Sequence, residues 1–95
     1  MPFAVTHHFP GGTKENYEAS LAAVHPAGGL PEGQIFHAAG ASQGGWTIFA
    51  IHDSKESWEQ FRDKILLPKL QAGVPGGFTT PPVESLFDVA NQQLG

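Results

Sequence analysis

The chain reads as a single α+β domain spanning residues 1–95, a ferredoxin-like βαββαβ chain forming a four-stranded antiparallel sheet with two helices on one face. Three observations predict it. Alternating apolar and polar residues mark strands near both ends of the chain; two segments repeat their apolar residues at helical spacing; and two short apolar runs joined by a glycine-rich turn lie between those helices.

Phe3, Val5, His7 and Phe9 alternate with Ala4, Thr6 and His8, which predicts a first strand over 3–9. Pro10-Gly11-Gly12 ends it. Thr13 then suits the N-cap of a helix carrying Tyr17, Leu21 and Val24 on one stripe, closing at His25 before Pro26 and the turn-rich AGGLPEG.

Residues 34–40 and 46–52 are the two arms of a hairpin separated by ASQGG. Asp53, with Glu56 three residues on, has the spacing of a capping box for a second helix. Its buried stripe reads Trp58, Phe61, Ile65 and Leu70, and Pro68 must kink or restart it near Leu67, because proline cannot donate to the preceding turn. GVPGGFTTPP is a loop. Residues 83–90 alternate again, and the prolines before them suit an edge strand.

Right-handed crossovers order such a chain with the fourth strand beside the first, then the third, then the second. The expectation here is that the first and third strands run parallel and that the second opposes the third. One sheet face stays largely apolar with no helix to cover it, and a second copy of the chain is the simplest cover. The composition agrees. Charged residues make up 15% of the chain, against about 25% in an ordinary soluble domain, so part of the surface is expected to face a partner.

The net charge of −4, with four of five basic residues sharing one helix with Glu56, Glu59 and Asp63, speaks against nucleic acid as a partner. With no cysteine, disulfides and thiolate chemistry are excluded. No apolar run reaches the ~18 residues of a membrane span and no basic-then-apolar leader opens the chain, so a cytoplasmic protein without membrane partners is expected.

The histidine-bearing first strand, the helix with Tyr17, the hairpin IFHAAG…GGWTIFAIHDS and above all SKESWEQFRDKILLPKL resemble small proteins of the dimeric α+β barrel superfamily. Antibiotic-biosynthesis monooxygenases and many uncharacterised relatives belong to it. The resemblance implies a homodimeric barrel and, among its known activities, cofactor-free oxygenation of aromatic polyketides, isomerisation and haem degradation. Polyketide oxygenases of this kind are associated with asparagine and tryptophan near the pocket, and Asn16 and Trp46 are of those types. The helical haem-ligating histidine of the haem degraders has a counterpart only in His25, at a helix end before a proline, so no cofactor is expected.

Chemistry rests on histidine. Adjacent strand residues point to opposite faces, so His7 and His8 are no chelate, and three converging ligands for a metal are not evident; no metal is expected. His7 lies on the apolar side and is the stronger candidate. His37 and His52 fall on the central strands, where an imidazole can approach a neighbour within hydrogen-bonding distance if the register puts both on one face. His7, His37 and His52 are therefore the candidate general bases, beside an apolar pocket expected to be lined by Tyr17, Phe36, Trp46, Phe49 and Phe87. His25 reads as a helix cap whose imidazolium would suit the negative end of the helix dipole.

The expected function is the binding of an aromatic or polyketide-like molecule, with a cofactor-independent oxygenase or isomerase reaction begun by a histidine. The alternative is a non-catalytic ligand-binding or dimerisation module. A third reading follows from Met1-Pro2, which resembles the start of tautomerase-superfamily enzymes whose catalytic proline is exposed by loss of methionine. Met1 precedes Pro2 in this chain and leaves its nitrogen in a peptide bond.

Overall fold

The computed structural model describes residues 1–25 and 29–93. Ala27 and Gly28 of the expected turn, with Pro26, lie outside the described residues. The elements are β1 (Phe3–Pro10), α1 (Lys14–Val24), β2 (Gln34–Ser42), β3 (Gly45–His52), α2 (Lys55–Phe61), a π-helical turn (Arg62–Leu66), α3 (Leu67–Ala72) and β4 (Val83–Asp88). They build one sheet in the order β2-β3-β1-β4, the expected order read from its other edge. No helix among the described residues is long and apolar enough to cross a membrane.

All three strand pairs are antiparallel, which corrects the expected parallel β1–β3 pair. The crossover through α1 sets β2 parallel to β1, and the hairpin then turns β3 to run against both. His52 therefore pairs with Phe3 at the start of β1, away from its later half, while His7 faces Ile48.

The hairpin is tighter than expected. Ser42 pairs with Gly45, leaving Gln43-Gly44 as the turn, and Gly44 takes a φ of 78° that a side chain would resist. A bulge at Ile35 matters more. Gln34 and His37, three residues apart, would face opposite sides of a regular strand, but the extra residue sets both on the helix side, opposite His52 and Ala50.

Thr13 caps α1 as expected. Its hydroxyl accepts from Asn16 N–H and Asn16 Oδ1 accepts from Thr13 N–H, each at 3.1 Å. The cap of α2 is Ser54, whose Oγ accepts from Ser57 N–H at 3.1 Å, where Asp53 and Glu56 had been expected to serve; Asp53 is exposed. Gly33 lets the preceding loop pass, since a Cβ there would collide with the Ser57 side chain.

The core is Phe3, Val5, Ala50, Trp58 and Phe61, with Val24 and Leu66 packed against it. Aromatic side chains of this kind resist truncation by roughly 3–5 kcal/mol each. Trp58 and Phe61 are buried as the helical stripe predicts, but Ile65 is 37% exposed and Leu66 takes its place. The π-helical turn is the cause. Leu67 N–H bonds to Arg62 five residues back, which widens the helix where Pro68 has no N–H to offer, and every later side chain moves on by one position.

The opposite sheet face carries no helix among the described residues. Phe36 and Phe87 are 42% and 47% exposed there, with Phe49 and Val83 beside them, on an edge strand β4 that is exposed throughout.

Candidate functional site

Between the sheet and the helices lies an apolar cavity of about 110 Å³. Val5, His7 and Phe9 of β1, Gln34 and His37 of β2, and Ile48, Ala50 and His52 of β3 form its floor. Tyr17, Ser20, Leu21, Val24 and His25 come from α1 and its end, Trp58, Phe61, Leu66 and Leu70 from the second helical segment, and Val74, Phe78 and Pro82 from the loop before β4. The space is sufficient for several water molecules and is on the scale of cavities that admit one benzene-sized ring.

That loop is strapped across the opening. Phe78 stacks on Phe9 at 3.8 Å, Asn16 Nδ2 donates to the carbonyls of Gly76 and Gly77 at 3.0 and 3.1 Å, and Thr80 Oγ1 donates to Pro10 O at 2.8 Å. Asn16 is thus fully occupied in holding the cap and the strap, and does not line the cavity.

The sheet register brings His7, His37 and His52 to one face. Three of the four cavity histidines cluster, with Tyr17, at one end. Tyr17 Oη is 2.7 Å from His37 Nε2, His37 Nδ1 is 2.8 Å from Gln34 Oε1, and Gln34 Nε2 is 3.4 Å from His52 Nε2. A carbonyl oxygen only accepts, so His37 carries its proton on Nδ1 and Tyr17 donates to Nε2. By the same logic Gln34 donates to His52 Nε2 and the proton of His52 sits on Nδ1, which is buried without a partner among the described residues. His25 stands edge-on to His37, ring centroids 4.9 Å apart.

Burial keeps this cluster uncharged. Desolvation lowers the pKa of His37 and of His52, with Asp53 partly opposing the shift at His52. His25 falls to about 4, chiefly through desolvation and then through repulsion from His37 and His52. Desolvation raises the Tyr17 phenol. The helix-capping role expected of His25 belongs to its backbone, whose N–H reaches Leu21 O, while its ring is a neutral member of the site and no imidazolium.

His7 stands apart from the cluster. Glu84 Oε2 accepts from its Nε2–H at 2.8 Å, and its ring lies 5.7 Å from that of Trp58, which also packs on His52 at 5.5 Å. His8 faces the other side, with Thr47 Oγ1 at 3.1 Å and Ser42 Oγ at 3.3 Å.

The expected pocket lining is corrected in large part. Tyr17 lines the cavity, but Phe36, Phe49 and Phe87 pair with Ile51, Ala38 and Ala4 on the uncovered face. Trp46 is on the helix side yet packs on Tyr17, at 5.3 Å, without reaching the cavity. Sequence reasoning missed Gln34, Glu84 and the ring of His25. Only Glu84 left a signal, as one of two acidic residues, with Asp88, on the β4 face opposite Phe87. Pro2 does not line the cavity. Among the described residues no three His, Asp or Glu are placed to hold a metal ion.

No protein-family model and no curated protein sequence matches the chain. Among solved structures it is similar to Rv0793 from Mycobacterium tuberculosis, with a TM-score of 0.72 over 97% of this chain and 98% of that one, at 19% identity. At that identity the likeness concerns the fold, a small ferredoxin-like α+β domain.

Proposed function

We propose that the chain binds a small aromatic molecule, or one ring of a polyketide-like one, in the cavity and takes a proton from it with His37 acting through Tyr17. The observation that carries this reading is the 2.7 Å contact between Tyr17 Oη and His37 Nε2 inside an otherwise apolar enclosure. His37 is neutral and holds a lone pair on Nε2, the condition of a general base, and Tyr17 is the group able to present that basicity to a ligand. Removing a phenolic or α-carbonyl proton in this way starts either an isomerisation or a cofactor-independent oxygenation, in keeping with the resemblance to antibiotic-biosynthesis monooxygenases. His52, fully buried on the cavity floor, supports the network through Gln34.

Two copies of the chain joined through the uncovered face are part of the proposal. Phe36, Phe49, Val83 and Phe87 supply an apolar surface there that water meets unfavourably.

A second reading, a non-catalytic binding module, is favoured by the fact that both nitrogens of His37 are already hydrogen-bonded. A panel of phenols and α-carbonyl compounds separates the two. Ligands found by thermal shift are followed for oxygen consumption and isomer formation with the native chain, His37→Gln and Tyr17→Phe. Catalysis requires a loss of about 10²–10⁴-fold in both variants with folding retained. Tight binding without turnover in the native chain establishes the binding module instead.

A further inference from the structure

One wall of the cavity is built differently from the others. Floor and roof are sheet and helix, each closed by its own backbone hydrogen bonds, whereas residues 73–82, which contribute Val74, Phe78 and Pro82, belong to no strand or helix. Among the described residues no backbone–backbone hydrogen bond ties 74–82 to another part of the chain; the one such bond within it, from Gly77 N–H to Val74 O at 2.9 Å, is internal. Side chains hold it instead. Asn16 Nδ2 donates to Gly76 O and Gly77 O, Ser20 Oγ accepts from Phe78 N–H at 3.4 Å, and Thr80 Oγ1 donates to Pro10 O. A segment tied in this way opens at a lower free energy than the sheet beneath it.

The closed position is nevertheless specific. Phe78 lies almost parallel to Phe9, with 9° between the ring planes, and its edge rests over Gly12, where a Cβ would come within 2.8 Å of the ring. Any side chain at position 12 would therefore crowd that seat. Asn16 keeps its aim whether or not the strap is present, because its Oδ1 accepts from Thr13 N–H at 3.1 Å and so turns Nδ2 toward Gly76 and Gly77. A weakly tied segment with a prepared seat can leave and return without disturbing the rest of the fold.

Resting on the reading of the cavity as an aromatic site, we propose that residues 73–82 are a lid: the ligand enters and leaves between Phe9 and this segment, and Phe78, seated on Phe9 and Gly12, shuts the cavity behind it. Opening gives up one ring stack and four side-chain hydrogen bonds, and it breaks no strand pair and no helical turn. Passage through the floor would part β1 from β3, and passage through the roof would unpack Trp58 and Phe61 from the core. The lid sets the rate of exchange. Affinity follows from the contacts made once it is shut, so fastening it in place changes the path and leaves those contacts alone.

The test fastens the lid. A Cβ placed on Gly76 falls 3.7 Å from Ala19 Cβ, within the ~3.5–4.5 Å span of a disulfide, and the chain has no cysteine of its own to interfere. The full chain carrying Ala19→Cys and Gly76→Cys is compared oxidised and reduced, with fluorobenzene as the probe and its exchange between free and bound forms followed by fluorine NMR. The expected result is exchange at least about tenfold slower in the oxidised chain, with the same dissociation constant in both states. Gly12→Ala, which sets a methyl group against the Phe78 ring, is expected to speed exchange in the chain without cysteines, and it decides the question alone if the double-cysteine chain does not fold. Equal rates in the oxidised and reduced chains, or an unchanged or slower rate in Gly12→Ala, overturn the lid and leave the aromatic site standing. Fluorobenzene that binds to neither the native nor the variant chains overturns both.

Discussion

His7 and His37 line the same cavity in opposite tautomers. His7 gives its Nε2–H to Glu84 over 2.8 Å, and His37 gives its Nδ1–H to Gln34 over 2.8 Å, so the free lone pairs are on Nδ1 of the first and Nε2 of the second. Imidazole nitrogen chemical shifts measured at neutral pH are expected to assign the two rings to different tautomers. Finding both rings in the same tautomer contradicts the hydrogen-bond assignment. Glu84→Gln is expected to disturb the His7 signals alone, at a stability cost of about 0.2–1 kcal/mol, because Glu84 is partly exposed.

Acid should loosen the fold. The folded pKa values of His25, His37 and His52 lie below the unfolded value of about 6.5, so the native chain binds fewer protons than the unfolded one. Their stabilising contribution is complete above pH ~6.5 and is lost as the pH falls toward about 4, where His25 titrates. Discounted for solvent screening, His25 alone accounts for a loss on the order of 2 kcal/mol across that window. Melting temperature recorded from pH 7 to 4 checks this, and a flat profile contradicts it. Replacing His37 with glutamine removes the larger of the two repulsions on His25, so the His25 titration is expected to move upward from about 4.

Much of this organisation was legible in the sequence, and the failures have physical causes. Element order, sheet order and the facing of His7 followed from alternation and helical period, which depend on local geometry alone. The direction of β3 did not, although chain logic contains it, because the hairpin reverses whatever direction the crossover imposes on β2. Phe36, Phe49 and Phe87 were expected around the ligand because aromatics suit pockets, yet pairing register sends them to the open face; period-2 patterns say which residues share a face and not which face is covered. Gln34 was invisible because the bulge at Ile35 that turns it toward His37 leaves no compositional mark. The ring of His25 was read as a cap because helix-end position is evident in a sequence and enclosure by other imidazoles is not.

Asn16 links the N-terminus of α1 to the loop over the cavity. Asn16→Ala removes one side of the capping box and both bonds to Gly76 and Gly77, which should cost about 1–3 kcal/mol. Amide hydrogen exchange is expected to rise in residues 74–80 more than in the sheet. Equal acceleration throughout the chain would deny the loop its separate dependence on Asn16.

The uncovered face predicts self-association. Light scattering should give twice the chain mass at micromolar concentration, and Phe36→Glu should return a folded single chain, because a carboxylate at that position cannot be paired within the face. A native chain that scatters as one copy removes the dimer from the proposal.

The π-helical turn at Arg62–Leu66 amounts to one surplus residue in an otherwise regular helix. Each residue advances a helix by about 100°, so taking one out would swing Leu66 and Leu70 off the cavity and present different side chains to it, with the strands and their histidines untouched. The wall of the cavity is therefore adjustable by chain length as well as by substitution. A gain or loss of a single codon in that turn would reshape the cavity while leaving the histidine cluster in place.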